Sequence, residues 1–311
     1  MISFDVDRPG SDNGGGRVSS LFIGMPVYNG ARFIGEALES LVRQSYSDWT
    51  LLISDNASDD ETPQICRAFS RSDRRIRYYR PERNMGAPYN FQFLLDRAES
   101  PYFMWAAADD IWEPAFTETC VGLLDRNPSM GAAFTNMVCI DTAGEVIFEV
   151  PTFTPLAWRP SNRTVYNFLV GPEILGKANL FYGVYRTKVC REAWKCAPHN
   201  DFWGSDFGFV LAVLAREGYC IDPRILFRKR VVHGNGSVSR YPPAPELPAY
   251  IFPFNKSKEY IAHHLNATRG TSFYWLTLAV MTARLPRTMF NTLRGHIRET
   301  LDCGAWKKPL K

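Results

Sequence analysis

The chain has 311 residues, 45% of them hydrophobic and 22% charged, enough for one large or two modest globular domains with a buried core. A formal charge of only +4 argues against a strongly basic nucleic-acid binder, and no window reaches the roughly eighteen uncharged apolar residues of a membrane-spanning helix. The seven cysteines (Cys66, Cys120, Cys139, Cys190, Cys196, Cys220 and Cys303) are odd in number and contain no C-x-x-C pair, which argues against a disulfide framework or a zinc knuckle and fits a reducing cytoplasm.

Residues 1–19 are rich in Gly, Ser and Asp and lack the basic-then-apolar pattern of a signal peptide, so they read as a disordered lead-in. From residue 21 short apolar runs alternate with helical periodicity. "LFIGM" (21–25) and "WTLLIS" (49–54) predict buried strands, and between them Ile34, Ala37, Leu38, Leu41 and Val42 fall on one helix face. A helix over about 60–71, a strand at Ile76–Tyr79, a helix near 88–98 and a strand at Tyr102–Ala106 follow. "AAFTNMVCIDTAGEVIFEV" predicts a strand and a hairpin, and a Pro-rich passage at 151–160 precedes a less regular second half. There, Phe209, Val210, Val213 and Leu214 mark a helix ending before Gly218. Strands alternating with helices predict a parallel sheet with right-handed crossovers, in which ligands sit beyond the carboxyl ends of the strands. The turns to inspect are therefore "PVYNG", "DNASDDET" and "AADDIWEP".

Tyr28 offers an aromatic face for a nucleobase, and Asp55 an acceptor for a ring N–H or a ribose hydroxyl. A plain turn at Tyr28-Asn29-Gly30 and helix caps at Asp59, Asp60 and Thr62 are the structural alternatives. No G-x-G-x-x-G is present, which disfavours a dinucleotide enzyme.

The run "IGMPVYNGARFIGEALESLVRQSYSDWTLLISDNASDDET", followed by "NMGAPYN" and "AADDIWEP", resembles the nucleotide-sugar-binding half of family 2 glycosyltransferases. The resemblance implies an α/β GT-A fold, with a Rossmann-like, mostly parallel central sheet flanked by helices and a helical C-terminal tail. It divides the chain into a nucleotide-sugar-binding half (20–130), an acceptor-binding and catalytic half of the same domain (131–245) and a basic, partly amphipathic helical region (246–311). It also implies that Pro26 and Tyr28 flank the donor's base, that Asp55 and Asn56 contact base or ribose, and that Asn84, Gly86 and Asn90 shape the donor pocket.

Two adjacent acids at the end of an apolar strand need a reason. A nucleotide-sugar diphosphate supplies one, because a hard cation held by one or two carboxylates and phosphate oxygens would neutralise it and stabilise the leaving nucleotide. Asp109 is the expected ligand of Mg or Mn and a donor-binding residue, with Asp110 and His233 as further metal candidates. The family resembled usually has D-x-D-D here, and Ala107 stands where the first carboxylate is expected. An acidic N-terminal helix turn is the structural alternative for Asp110 and Glu113.

Inverting transfer also requires a base to take the acceptor proton. In "NDFWGSDFGFVLAVLAREG" the resemblance points to Asp206, with Asp201 in reserve, a capping role as the alternative, and Phe202 and Trp203 as a candidate sugar surface. In "FRKRVVHGNGSVSR" it suggests that Arg230 and His233 close over the diphosphate, a solvated basic loop being the alternative.

Residues 256–311 hold ten Lys or Arg against three Asp or Glu. This tail would either lie on an anionic membrane surface or pack on the core as a helix pair. The expectation is an inverting, metal-dependent transferase, cytoplasmic or peripheral on the inner face of the membrane, using a nucleoside diphosphate sugar and a glycan or lipid-linked acceptor. No nucleic-acid partner is expected. A sugar-phosphate nucleotidyltransferase is the rival enzyme, although "PVYNGARF" lacks its Gly-rich phosphate loop; a non-catalytic nucleotide- or glycan-binding relative is suggested by Ala107.

Overall fold

The computed structural model describes residues 18–149, 153, 159–171, 176–197, 205–231 and 254–283, the side chains of 254–259 excepted. The first half is a parallel α/β unit: β1 (Leu21–Val27), α1 (Ile34–Val42), β2 (Trp49–Asp55), α2 (Thr62–Ser72), β3 (Ile76–Tyr79), α3 (Ala87–Asp96) and β4 (Tyr102–Trp105). β1, β2 and β4 are buried on both faces by flanking helices, which is why they read as continuous apolar runs, whereas β3 is only partly covered. β1 lies between β2 and β4, all parallel, and its register sets Val27 opposite Asp55. α1 buries Ile34, Ala37, Leu38 and Leu41, the stripe its sequence predicts.

The second half adds β5 (Ile111–Trp112), α4 (Phe116–Arg126), β6 (Ala132–Ile140), β7 (Val146–Glu149), α5 (Asn162–Val170), a 3-10 turn (Lys177–Tyr182), β8 (Val184–Arg186), α6 (Thr187–Cys196), α7 (Ser205–Leu214), β9 (Tyr219–Arg230) and α8 (Phe254–Thr268). Among the described residues one nine-stranded sheet forms, ordered β3-β2-β1-β4-β8-β6-β9-β5, with β7 on β6. β8 runs antiparallel to both β4 and β6, β9 runs parallel to β6, and β5 runs antiparallel to β9. Alternation of strands and helices does not reveal this mixed half, because β8 has three residues and β5 two. Buried Trp105 joins the halves: its ring stacks on Phe181 at 4.7 Å and meets Trp194 and Phe209 at 4.9 and 5.4 Å.

α8 docks on α7 at Gly208, where an added Cβ would lie 1.9 Å from His263 Cδ2. His263 Nε2 donates to the Ser205 carbonyl at 3.0 Å, fastening α8 to the first turn of α7. Residues 274–283 are helical, with Phe273, Val280 and Met281 buried and Trp275 74% exposed. The first part of the basic tail thus packs on the core. No helix among the described residues is long and apolar enough to cross a membrane.

Candidate active site

The turn after β1 is tied to the loop after β2. Asn29, Gly30 and Ala31 donate their amides to Ser58 Oγ, Thr62 Oγ1 and Asp60 Oδ2 at 2.9, 2.9 and 3.0 Å. Asp60 Oδ1 also accepts from the Thr62 amide at 2.9 Å; the residue at the cap of α2 is Glu61, without a side-chain cap bond, so Asp60 serves the turn rather than the expected cap position. Burial would raise the Asp60 carboxyl, but these hydrogen bonds prevail and hold it below the usual range. Asn29 and Ala57 have φ of 53° and 62°, a conformation tolerable for Asn and strained for Ala. Tyr28 stands half exposed at the rim, and Pro26 lies within β1 opposite Ser54.

Asp55, at the end of β2, is fully buried. Its Oδ1 accepts from the Ser58 amide at 2.9 Å; its Oδ2 accepts from Tyr78 Oη at 2.5 Å and faces Arg80 Nε at 3.4 Å. Arg80, which the sequence reading missed, lies just beyond β3, at the carboxyl end of a parallel strand where ligands collect. Asn56 accepts from the Met85 amide through Oδ1 and donates through Nδ2 to Asn84 Oδ1, both at 2.8 Å; Asn84 Oδ1 also accepts from the Gly86 amide at 2.8 Å. Asn90 Nδ2 donates to the Ser54 carbonyl at 2.8 Å. Asn56, Asn84, Gly86 and Asn90 are therefore brought together as a wall braced by its own hydrogen bonds.

The acid pair divides. β5 pairs with β9, placing Ile111 opposite Arg228, and this turns Asp110 inward. Asp110 is fully buried, with Oδ2 3.1 Å from Lys229 Nζ and Oδ1 accepting from the Arg230 amide at 2.9 Å. Burial pushes its carboxyl up to about 7, with Lys229 pulling the other way. Burial would lower the Lys229 ammonium, but Asp110, Asp109 and Tyr182 hold it well above its ordinary value, so it stays charged. Asp109, 39% exposed at its side chain, is the acid on the open side, 3.9 Å from Lys229 Nζ.

Two expectations change here. Asp110 is engaged inside the protein through both oxygens, so its observed role is to hold the turn. Arg230 is 2% exposed: it donates to Glu36 Oε2 at 2.5 Å, the Asp109 carbonyl at 2.9 Å and the Asp141 carbonyl at 3.0 Å, over the Phe33 ring. It is an internal tie between β9, α1 and the acid turn, not an arm over the diphosphate. Lys229, the residue that does face the acids, was hidden within the run "FRKR" because only the pairing of β5 with β9 selects it.

Asp206 lies in the first turn of α7, partly exposed, with Oδ1 accepting from the Phe207 amide at 3.0 Å. Phe209 places this helix by packing on Trp105 and Phe181. The Tyr182 phenol, raised first by burial, also feels Lys229, Asp110, Asp109 and Asp206, so these charges act on one neighbourhood. His233, Asp201, Phe202 and Trp203 lie outside the described residues.

Among the described residues no group of three His, Cys, Asp or Glu side chains could hold a metal ion. One open carboxylate plus phosphate oxygens is nevertheless how Mg or Mn is commonly held, so Asp109 fits a cation accompanied by a diphosphate.

The profile of glycosyl transferase family 2 matches residues 22–178. EpsE of Bacillus subtilis, assigned as a glycosyltransferase, is 30% identical over 134 residues, which is 42% of this chain and 47% of that protein. TuaG of the same organism, assigned as a teichuronic acid biosynthesis glycosyltransferase, is 32% identical over 88 residues, 28% of this chain and 35% of that one. The match thus spans less than half of either relative. S. aureus TarS 1-349 in complex with UDP superposes with a TM-score of 0.62 at 15% identity over 86% of this chain and 71% of that one. The mannosyltransferase PcManGT of Pyrobaculum calidifontis, in complex with GDP-Man and Mn2+, gives 0.53 at 16% identity over 99% and 80%. These likenesses show the fold, which is GT-A.

Proposed function

The chain belongs to glycosyl transferase family 2, and from that premise we propose that it transfers a sugar, with inversion, from a nucleoside diphosphate donor to a hydroxyl of a cell-surface glycan or lipid-linked glycan. The observation that carries this reading is the convergence of Tyr28, the Asp55–Arg80 pair and Asp109 at the carboxyl ends of adjacent parallel strands. A relative assigned to teichuronic acid biosynthesis and a fold neighbour that binds UDP support the acceptor and donor classes.

In this reading Tyr28 covers the base, and the buried Asp55 carboxylate, with both oxygens already engaged, positions the more exposed Arg80 to offer a donor to its edge. The bracing of Asn56, Asn84 and Asn90 fixes the wall before the donor arrives, so little ordering remains to be done on binding. Asp109 is the residue that would hold Mg or Mn, which when bound neutralises charge on the departing diphosphate. Asp206 takes the acceptor proton as the hydroxyl attacks the anomeric carbon from the face opposite the leaving group.

Thermal shift tests the reading: UDP, GDP and UDP-GlcNAc are screened with EDTA and with Mn2+. A preferred nucleotide should raise Tm by mass action. No shift with any of them, with metal or without, would overturn it.

A further inference from the structure

We propose that Lys229 prevents the free protein from holding a divalent cation, so that cation and nucleoside diphosphate must occupy the site together. Two neighbouring carboxylates at a strand end would ordinarily attract such an ion. Here an ammonium already stands between them, 3.1 Å from Asp110 and 3.9 Å from Asp109. Both oxygens of Asp110 are engaged, by Lys229 and the Arg230 amide, which leaves Asp109 as the open acid of the pair. A cation seated about 2 Å from Asp109 Oδ1 would lie within roughly 6 Å of Nζ, where like charges in a partly desolvated site repel strongly.

Lys229 has little room to withdraw. Its side chain is 14% exposed, Nζ rests 5.2 Å from the centre of the Tyr182 ring, and Asp110 would be left buried without its ion partner. The two acids and the lysine together carry at most one negative charge, too little to offset a divalent ion stripped of water. A diphosphate changes the balance by bringing both charge and oxygen ligands. The second half of this inference rests on the nucleotide-sugar reading; the first half does not.

The test follows free Mn2+ by electron paramagnetic resonance in wild type, Lys229→Gln and Lys229→Met, each with its melting temperature recorded. Gln keeps a donor toward Asp110 Oδ2, and Met keeps the length without charge. Wild type without nucleotide should leave the Mn2+ signal almost unchanged, while either neutral variant that folds should bind Mn2+ about tenfold tighter or more. Adding UDP to wild type should remove more free Mn2+ than UDP does alone. Tight Mn2+ binding by nucleotide-free wild type, or no gain in the neutral variants, overturns the role of Lys229. A UDP-induced rise in melting temperature without extra Mn2+ uptake overturns joint entry. If UDP shifts nothing, the donor reading fails by itself, and the comparison of nucleotide-free variants still decides what Lys229 does.

Discussion

Lys229 Nζ lies 3.1 Å from Asp110 Oδ2 in the protein interior, and this ion pair fixes the acid turn to β9. Asp110→Asn would leave the Lys229 ammonium with the more distant and more exposed Asp109, 3.9 Å away, so a loss of up to about 3–5 kcal/mol, the range for breaking a buried pair, is expected. Asp109→Asn removes a partly exposed charge and should stay within about 0.5 kcal/mol of wild type. Urea denaturation of the two variants measures the contrast. Equal stabilities would mean that the pair does not hold the turn.

Asp109→Asn should act on ligand binding instead. Calorimetry with UDP should give a Mn2+-dependent gain in affinity for wild type and at least a tenfold smaller gain for the variant, as expected when a hard cation loses a carboxylate ligand. An undiminished metal effect would remove Asp109 from the site.

Asp206→Asn separates chemistry from capping. Donor affinity should be nearly normal while turnover falls by roughly two to four orders of magnitude, the usual contribution of a general base. Asn caps helices as well as Asp does, so a purely structural Asp206 would leave both stability and rate almost unchanged.

Gly208→Ala should loosen the docking of α8. The new Cβ would lie 1.9 Å from His263 Cδ2, so the ring and its bond to the Ser205 carbonyl must shift. A loss of about 1–3 kcal/mol is expected, as for other overpacked cores. Adding His263→Ala should recover part of it, because the two changes share one contact. Strict additivity in the double variant would show that the ring is not what Gly208 accommodates.

Two truncations test the tail. Ending the chain after residue 268 removes Phe273, Val280 and Met281 from the core and should lower the melting temperature. Ending it after residue 283 should preserve folding yet reduce co-sedimentation with anionic vesicles, since seven Lys or Arg lie beyond that point. Unchanged vesicle binding in the longer truncate would remove the basic end from any membrane contact.

Sequence alone determined the parallel half. β1, β2, β4 and the buried face of α1 are written in local periodicity, because a strand covered on both sides must be apolar throughout and a helix packed on one side must repeat every three to four residues. The same topology pointed to the turns where Asp55 and Asp109 stand, since parallel strands present their carboxyl ends on one edge. Tertiary structure alone decided which acid is open, which cation faces the pair and what Arg230 does. Those outcomes depend on β5, a two-residue strand, pairing with β9 more than a hundred residues later, and on whether each charge ends in solvent or in the interior. Adjacent Asp109 and Asp110 look alike in sequence, but burial and a fixed ammonium give them opposite surroundings, and such contacts between distant segments leave no periodic trace in the chain.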